Sequence, residues 1–396
     1  MSKIKIAQVI TRMDWGGSPD IVRIICERLD SEVYDITLIM GTTNYPSLKT
    51  KEFLANFKEQ IIVIPQLKRN INPFFDFIAF FRLYILFRGK KFDIVHTHTA
   101  KSGALGRLAA YLSGVPKIIH MSHGHNFYGY FGKLGSAFVV AVERMLSRFT
   151  DKIIALTELE RKDLIVFKVS NAEKIVVVNS GLDLDYYKDV SIDIPIKKES
   201  FKIGKDLKVA GFVSRLEPVK GAQLVLDAAR IVSEKFSNVK FIIAGDGSLR
   251  GKMEKEAREL NIEDKCLFLG WREDVPEILA ILDVLIQPSL NEAVGRIFIE
   301  AGASGIPVVA TKVGGIPEIV LDNETGILVE PDNTQGLAQA IIYLLENDAK
   351  RKEMGAKAKN RINERFSAQN MVKNISQVYV SLSKSANNNT AILRKT

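Results

Sequence analysis

Two carboxylates lie on either side of a predicted helix start in residues 285–311, LIQPSLNEAVGRIFIEAGASGIPVVAT. The pattern predicts a buried strand, a polar loop with Glu292, a helix that begins near Val294 and contains Glu300, and a second buried strand. A helix N-terminus presents unpaired backbone N–H groups to an anion, and eight helical residues span about 12 Å. The spacing fits a bound phosphate flanked by two carboxylates that accept hydrogen bonds from hydroxyl groups. A loop Glu and a solvated helical Glu are the alternative.

Two cations occupy a predicted strand-to-helix loop in the stretch LKVAGFVSRLEPVKG. Arg215 and Lys220 lie toward the two ends of this loop, where they can meet a diphosphate without crossing the core. Pairs of basic residues are also common on protein surfaces, so the pair alone leaves both interpretations open.

Glycine turns follow two other predicted strands. Gly16-Gly17 precedes a helix, and only glycine lets the backbone come this close to a phosphate, although such turns are common without a ligand. Gly245-Asp246-Gly247 begins a near match to G-x-G-x-x-G that misses by one residue. No acidic residue follows in a ribose-binding position, which disfavours a nicotinamide dehydrogenase.

All five histidines fall within one stretch, at His96, His98, His120, His123 and His125. An H-x-H pair on a strand points both rings to the same face. No matching set of Cys or acidic ligands accompanies them, which disfavours zinc. Because open α/β sheets bind ligands at the carboxyl ends of their strands, these histidines are better explained as donors or bases.

Apolar β-branched runs alternate with helical segments along the whole chain, which predicts α/β domains with parallel sheets and helices on both faces. The 396 residues suffice for two domains of about 200 residues. We expect an N-terminal domain at 1–190 and a C-terminal domain at 191–365. The polar, Pro-containing residues 184–205 are expected to link them, and residues 384–396 to form a flexible tail.

Residues 72–91, NPFFDFIAFFRLYILFRGKK, predict a helix with a clear start, because Asn72 can cap it and Pro73 suits its first position. The segment holds six of the 21 phenylalanines. Asp76 and Arg82 interrupt the apolar run, which is too short to span a bilayer. The helix either lies in the plane of lipid headgroups or packs on the sheet, and both hold if one face packs inward.

The net charge of +9 is concentrated in the first half. Residues 1–190 carry 26 Lys and Arg against 19 Asp and Glu, which gives +7, and the remainder carries 29 against 27, which gives +2. A basic surface of this kind suits nucleic acid, anionic lipid or a phosphorylated acceptor, or serves solubility alone. Cys26 and Cys266 form neither a disulfide framework nor a metal motif, which favours a reducing cytoplasm. MSKIKIAQVI leads directly into a strand, so no signal peptide is expected.

LNEAVGRIFIEAGASGIPVVAT resembles the signature of family 4 retaining glycosyltransferases of GT-B fold. HTHTAKSGALGRLAAYLSGVPKIIHMSHGHNFYGYFG resembles a bacterial branch that builds surface polysaccharides and lipid-linked sugars. The resemblance extends from Ile4 to about Ser383, and it departs at Ala293, where the family more often has glycine. It implies two Rossmann-like, doubly wound domains whose parallel sheets face a central cleft, with a C-terminal helix at 366–383 that crosses back to the first domain.

The resemblance also implies roles for the charged residues. Glu292 would contact the transferred sugar and Glu300 the ribose, while Arg215 and Lys220 would grip the donor diphosphate. Because these cations neutralise the departing diphosphate, as a divalent ion otherwise would, no metal or other cofactor is expected. Donor binding is further implied for Gly16, Gly17, Gly245, Asp246, Gly247, Ala293, Val294, Gly295 and Arg296.

His123 resembles by position the family histidine beside the anomeric carbon, which implies that it hydrogen-bonds the sugar and stabilises developing charge. His125, Asn126, Phe127 and Tyr128 would line the acceptor side, although these aromatics equally suit a packing cluster.

The implied reaction transfers a hexose or N-acetylhexosamine, with retention, from a UDP-linked donor to a polyprenyl-diphosphate-linked glycan at the cytoplasmic face of the membrane. Asp183-Leu184-Asp185 spells the D-x-D motif of GT-A enzymes, but the double α/β pattern does not suit that fold. A UDP-sugar epimerase of GT-B fold and a non-catalytic binder of anionic polymers are the alternatives. A polymer binder, of nucleic acid or otherwise, has no need of Glu292 and Glu300 in these places.

Overall fold

The computed structural model describes residues 3–124, 127, 132–188, 190 and 192–393. The chain divides into two compact units. The first runs to Gly181 and resumes at Ala368, and the second is Leu182–Ser367. Leu182 and Ser367, at the two ends of the second unit, form a parallel β-bridge.

The first unit is a parallel sheet with helices, and its described residues form seven strands in the order β3-β2-β1-β4-β5-β6-β7. Every neighbouring pair is parallel, as the sequence predicts. The strands are β1 (Ile4–Ile10), β2 (Tyr34–Met40), β3 (Ile61–Val63), β4 (Ile94–His98), β5 (Lys117–Met121), β6 (Lys152–Ala155) and β7 (Ile175–Val177). The helices are α1 (Gly17–Arg28), α2 (Leu48–Asn56), α3 (Pro73–Lys90), α4 (Ala100–Leu112), α5 (Lys133–Ser147) and α6 (Glu158–Val166).

The second unit repeats this plan, with six described strands in the order β10-β9-β8-β11-β12-β13, again all parallel. Its helices are α7 (Asp185–Lys188), α8 (Ile194–Ser200), α9 (Ala222–Lys235), α10 (Arg250–Glu259), α11 (Val275–Ala280), α12 (Arg296–Ala303), α13 (Ile316–Ile319), α14 (Thr334–Glu346) and α15 (Asp348–Arg365). Its strands are β8 (Lys208–Val213), β9 (Val239–Ala244), β10 (Cys266–Gly270), β11 (Val284–Gln287), β12 (Val308–Thr311) and β13 (Gly326–Val329).

Each sheet has one point where the strand order reverses. In the first unit this point lies between β1 and β4, and in the second between β8 and β11. Loops that leave two such strands diverge to opposite faces and open a crevice at the carboxyl edge, where open α/β sheets bind ligands. The loops after these four strands are therefore the places where the topology predicts ligand binding.

The division between the two units differs from the sequence prediction, because the first unit ends at Gly181 rather than at residue 190. Residues 184–205, predicted as an irregular linker, belong to the second unit and contain α7 and α8. The start of α8 follows from local chemistry, because Asp193 caps it by accepting a hydrogen bond from the Ile196 N–H at 3.1 Å, and Pro195 lies in its first turn.

The C-terminal helix α16 (Ala368–Leu393) belongs to the first unit. Buried Ile375 and Tyr379 lie on it, and it packs beside α1. The segment predicted as a flexible tail continues this helix as far as Leu393, and residues 394–396 lie outside the described part of the chain.

The Phe-rich helix α3 has two apolar faces. Asn72 caps it by accepting a hydrogen bond from the Phe75 N–H at 3.1 Å, with Pro73 at its first position, as predicted. Ala79, Leu83 and Phe87 are buried against the sheet and α4. A second stripe along the helix stays exposed, with 70% of Phe74, 65% of Phe77, 41% of Phe81 and 66% of Ile85 accessible. No helix within the described residues is long and apolar enough to cross a membrane.

Candidate active site

In the second unit, the loops after β8 and β11 lie against each other. The Leu290 N–H donates a hydrogen bond to the Val219 carbonyl oxygen at 2.9 Å. Gly221, the residue before α9, has a φ of 64°, and a Cβ there would lie 1.9 Å from the Pro288 carbonyl oxygen. Only glycine permits this approach, which brings the two loops together at the point of strand reversal.

Lys220 and Glu292 form an ion pair across these two loops. The Lys220 Nζ donates a hydrogen bond to Glu292 Oε2, and only 16% and 12% of the two side chains are accessible. The sequence prediction placed the two residues in separate roles, one on the diphosphate and one on the sugar. The structure adds that they contact each other, so a ligand that binds either one changes the environment of both.

The backbone of Glu292 is held from the other side by the loop after β12. The Gly315 N–H donates a hydrogen bond to the Glu292 carbonyl oxygen at 3.0 Å. Gly314 has a φ of 54°, and a Cβ there would lie 1.8 Å from the same oxygen. Glu292 therefore has a fixed backbone as well as a fixed side chain, as a group that orients a substrate hydroxyl requires.

Helix α12 begins at Arg296, two residues later than predicted, because Gly295 has a φ of 66° and cannot be part of the helix. The first half of the interval between Glu292 and Glu300 is therefore loop, so the span of about 12 Å expected for eight helical residues does not apply to it. Ala293 has a φ outside the left-handed region, so alanine fits where the resembling family has glycine. Glu300 is half-buried on α12, a helix that packs against α7.

The β8–α9 loop is also tied to the glycine turn after β9. The Leu216 N–H donates to the Asp246 carbonyl oxygen at 3.0 Å. Ser248 donates from its N–H at 3.2 Å and from its hydroxyl at 2.7 Å to the carboxylate of Glu217, which lowers the pKa of Glu217. Arg215, which directly precedes Leu216 in this loop, is exposed.

The predicted donor residues thus fall in both units. In the second unit, three adjoining loops carry Arg215, Lys220, Gly245, Asp246, Gly247, Glu292, Ala293, Val294 and Gly295, and α12 adds Arg296 and Glu300. Gly16 and Gly17 lie in the first unit, where Gly16 directly precedes α1.

In the first unit, the histidines gather at the reversal between β1 and β4. His96 and His98 alternate on β4 with ring centroids 4.2 Å apart, so they share one face as predicted. His98 Nδ1 lies 2.9 Å from Nε2 of His123, in the loop after β5. His123 has a φ of 59°, uncommon for a residue other than glycine and a feature that concentrates at functional sites.

Two residues that the sequence reasoning missed complete this cluster. Gln8 on β1 lies 2.7 Å from His98 Nε2, and Tyr379 on α16 lies 2.7 Å from His96 Nδ1. A polar residue in the buried strand IKIAQVI was a detectable signal for Gln8. Tyr379 offered none, since its apolar ring fits the helix pattern.

The predicted acceptor-side residues have a different outcome. His125, Asn126 and Tyr128 lie outside the described residues. Phe127 is 3% accessible and packs against Phe167 at 5.3 Å between ring centroids, within the core. Its side chain therefore packs in the core, which favours the packing alternative of the sequence analysis. Among the residues that the structure describes, no three His, Cys, Asp or Glu side chains are grouped to hold a metal ion.

Comparison with known families gives two matches along the chain. Residues 15–186 match the family described as Glycosyltransferase Family 4, and residues 193–361 match Glycosyl transferases group 1. The Escherichia coli UDP-Gal:alpha-D-GlcNAc-diphosphoundecaprenol alpha-1,3-galactosyltransferase is 29% identical over 95% of this chain and 96% of its own length. The Corynebacterium glutamicum (strain R) D-inositol 3-phosphate glycosyltransferase is 30% identical over 67% of each chain.

A solved structure has the same fold. The Anabaena protein HepE, in complex with UDP and glucose, superposes with a TM-score of 0.82 and 22% identity, covering 96% of this chain and 100% of that chain.

The buried histidines predict acid sensitivity. Burial lowers the pKa of His96 to about 3 and the pKa values of His98 and His120 well below the ordinary range. Since the unfolded chain takes up these protons near pH 6.5, acid favours unfolding. We expect the free energy of unfolding to fall from pH 7 to pH 5, by up to about 1.4 kcal/mol per pH unit for each histidine, as measured by urea unfolding.

His96→Asn is the matched variant, because its carbonyl oxygen can replace Nδ1 as the acceptor for Tyr379. It removes one of three titrating groups, so the slope of unfolding free energy against pH should fall by about one third. An unchanged slope in this variant, or a wild-type stability that is flat over this range, would contradict the prediction.

Proposed function

We propose that this chain transfers a hexose or N-acetylhexosamine, with retention, from a UDP-linked donor to a polyprenyl-diphosphate-linked glycan. The chain belongs to glycosyltransferase family 4 and has the GT-B fold. Membership makes the chain a glycosyltransferase that acts on a nucleotide sugar. The UDP donor and the lipid-linked acceptor are supported by the E. coli relative, whose named activity uses both.

The Lys220–Glu292 pair is the observation that carries the proposal. The pair brings a cation and a carboxylate together at the point where the strand order of the second sheet reverses. A diphosphate requires a cation there, and a sugar hydroxyl requires a hydrogen-bond acceptor such as a carboxylate. In the proposed complex Lys220 and exposed Arg215 bind the diphosphate. Glu292 accepts hydrogen bonds from the sugar hydroxyls and Glu300 from the ribose. His123 of the first unit hydrogen-bonds the transferred sugar.

The proposed chemistry is a same-face displacement. The acceptor oxygen forms a bond to the anomeric carbon on the face from which the diphosphate leaves, and the bond between this carbon and the phosphate oxygen breaks with its electron pair on the diphosphate. The proton of the acceptor hydroxyl passes to the departing phosphate. Arg215 and Lys220 stabilise the charge that develops there, so the proposal requires no metal ion or other cofactor.

A product assay tests the proposal. UDP-galactose, UDP-glucose and their N-acetylamino counterparts are each incubated with a synthetic polyprenyl-diphosphate N-acetylglucosamine. We expect one of them to give UDP and an α-linked disaccharide lipid, and GDP- and ADP-sugars to give none. A β-linked product would exclude retention. A UDP-sugar altered without acceptor would indicate an epimerase, and equal transfer to a water-soluble glycan would exclude the lipid preference.

Donor binding can be measured separately by thermal shift. The productive UDP-sugar should raise the melting temperature, and Glu300→Ala should weaken this shift because the ribose loses its acceptor. A shift of the same size in the variant would remove Glu300 from the donor site.

Charge at the leaving diphosphate gives a further prediction. Arg215→Ala and Lys220→Ala are each expected to lower turnover tenfold or more, on the scale typical of groups that stabilise developing charge. Lys235→Ala is the matched control, because Lys235 forms an ion pair with Glu346 that is far more exposed. Turnover in either site variant that equals the control would refute the role of that residue.

The exposed stripe of α3 supports an anionic membrane surface as a further partner, at the cytoplasmic face where the lipid-linked acceptor would be presented. Phe74, Phe77, Phe81 and Ile85 recur every three or four residues, so they lie on one side of the helix. Exposed Arg82 and Arg88 on the helix, with Lys90 and Lys91 at its end, can contact lipid phosphates while the rings insert.

Vesicle flotation tests this surface. We expect binding to phosphatidylglycerol vesicles that weakens with salt, and little binding to phosphatidylcholine alone. Phe77→Ser combined with Phe81→Ser should weaken binding by tenfold or more, since inserting even one large apolar side chain is worth about 1.5–3 kcal/mol. Val166→Ser, at an exposed apolar residue on α6, is the control. Equal binding to both vesicles, or unimpaired binding of the double variant, would refute the surface.

A further inference from the structure

We propose that Tyr379, Gln8 and His98 form a buried hydrogen-bonded chain that fixes the tautomer and the orientation of His123, so that the C-terminal helix α16 supplies a positioning residue for transfer. The inference rests on the proposed role of His123 and extends it to side chains that do not touch the substrate. All members lie in the first unit.

The chain is continuous in space. The Tyr379 hydroxyl lies 2.9 Å from Gln8 Nε2, and Gln8 Oε1 lies 2.7 Å from His98 Nε2. His98 Nδ1 in turn lies 2.9 Å from His123 Nε2. Gln8, His98 and Tyr379 are fully buried, so solvent does not compete for these hydrogen bonds.

The direction of each hydrogen bond follows from the amide of Gln8. Its Nε2 donates to Tyr379, so its Oε1 must accept from the Nε2–H of His98. Burial keeps His98 neutral by lowering its pKa, so this ring has one proton and its Nδ1 is an acceptor. Nδ1 therefore accepts from the Nε2–H of His123. Nε2 of His123 is therefore protonated, and in the neutral form of this ring the lone pair is on Nδ1.

The far end of the chain is equally fixed. Having accepted a hydrogen bond from Gln8, the Tyr379 hydroxyl donates one to Nδ1 of His96 at 2.7 Å. Burial raises the pKa of Tyr379 and lowers the pKa of His96 to about 3. Both groups therefore stay neutral near pH 7, so ionisation of neither one reverses the direction of these hydrogen bonds.

The surroundings give the chain no competing charge partner among the described side chains. The titratable group that acts on His96 is His123, and those that act on His98 are His96, His123 and His120. Arg107 acts on His120. Those that act on Tyr379 are Cys26 and Tyr34. The hydrogen bond that His123 donates to His98 constrains the orientation of the His123 ring, and His123 also has a backbone φ of 59°, which is uncommon for a residue other than glycine.

Histidine tautomers can be measured without substrate. In the ¹⁵N-histidine NMR spectrum of the full-length protein, we expect His98 and His123 to be Nε2–H tautomers. Tyr379→Phe removes the hydroxyl that orients the Gln8 amide, so both rings should become mixtures of tautomers. Nδ1–H rings in the wild type, or unchanged tautomers in the variant, would overturn the proposal.

Kinetics test whether the chain acts through His123. Tyr379→Phe should lower kcat about tenfold, the scale of a misoriented reacting group, and leave the donor KM within about twofold, since the proposed diphosphate and ribose contacts lie in the second unit. Tyr34→Phe is the matched control. It removes another buried hydroxyl that contacts α16, through Ser376 at 2.7 Å, but lies outside the chain.

The His123→Ala background separates the two proposals. If Tyr379→Phe lowers kcat in the wild type but causes no further loss in His123→Ala, the chain acts through His123. A similar loss in both backgrounds would overturn the proposal and leave Tyr379 a structural residue. If His123→Ala alone retains full turnover, the role of His123 in the proposed function fails, while the NMR result still decides whether the chain sets the tautomer.

Discussion

The contact between the loops after β8 and β11 is the constraint on which the second unit's site depends. Gly221 lies against the Pro288 carbonyl oxygen, and this contact is possible only without a side chain. It brings Lys220 to Glu292, and Gly314 then lies against the Glu292 backbone from the loop after β12. A cation and a carboxylate from loops 72 residues apart are thereby held together before any ligand binds, so the cost of ordering them is borne by folding rather than by binding.

Parallel strand order explains why such a pair forms where it does. In both sheets the chain returns to the centre after three strands, so that β4 pairs with β1 and β11 with β8. Residues far apart in sequence become neighbours at one carboxyl edge, and the helices that follow diverge to opposite faces. The second unit uses this edge for a charged pair. The first unit uses it for neutral, buried histidines whose pKa values are lowered by burial.

The sequence predicted what depends on local pattern. Alternating apolar runs gave the two parallel sheets, and Asn72-Pro73 gave the start of α3. The helix α8 was missed, although Asp193 and the following proline carry a comparable start signal, because the segment is short and its apolar positions are few. Arg215, Lys220 and Glu292 were identifiable as loop residues after strands. Their mutual contact was not, because it depends on backbone approaches between loops.

Tyr379 shows most clearly why the rest of the site was not predictable. Its position on the last helix satisfies an apolar pattern, and only the fold brings its hydroxyl to Gln8 on the first strand, 371 residues away. A buried hydroxyl or amide destabilises the protein unless it finds a partner, and here each finds one in the histidine cluster. Because every buried donor and acceptor needs a partner, the choice of donor in one hydrogen bond fixes the donor in the next. A cluster whose hydrogen bonds must be satisfied for folding can therefore orient His123, the histidine proposed to contact the sugar, without any of its other members touching the substrate.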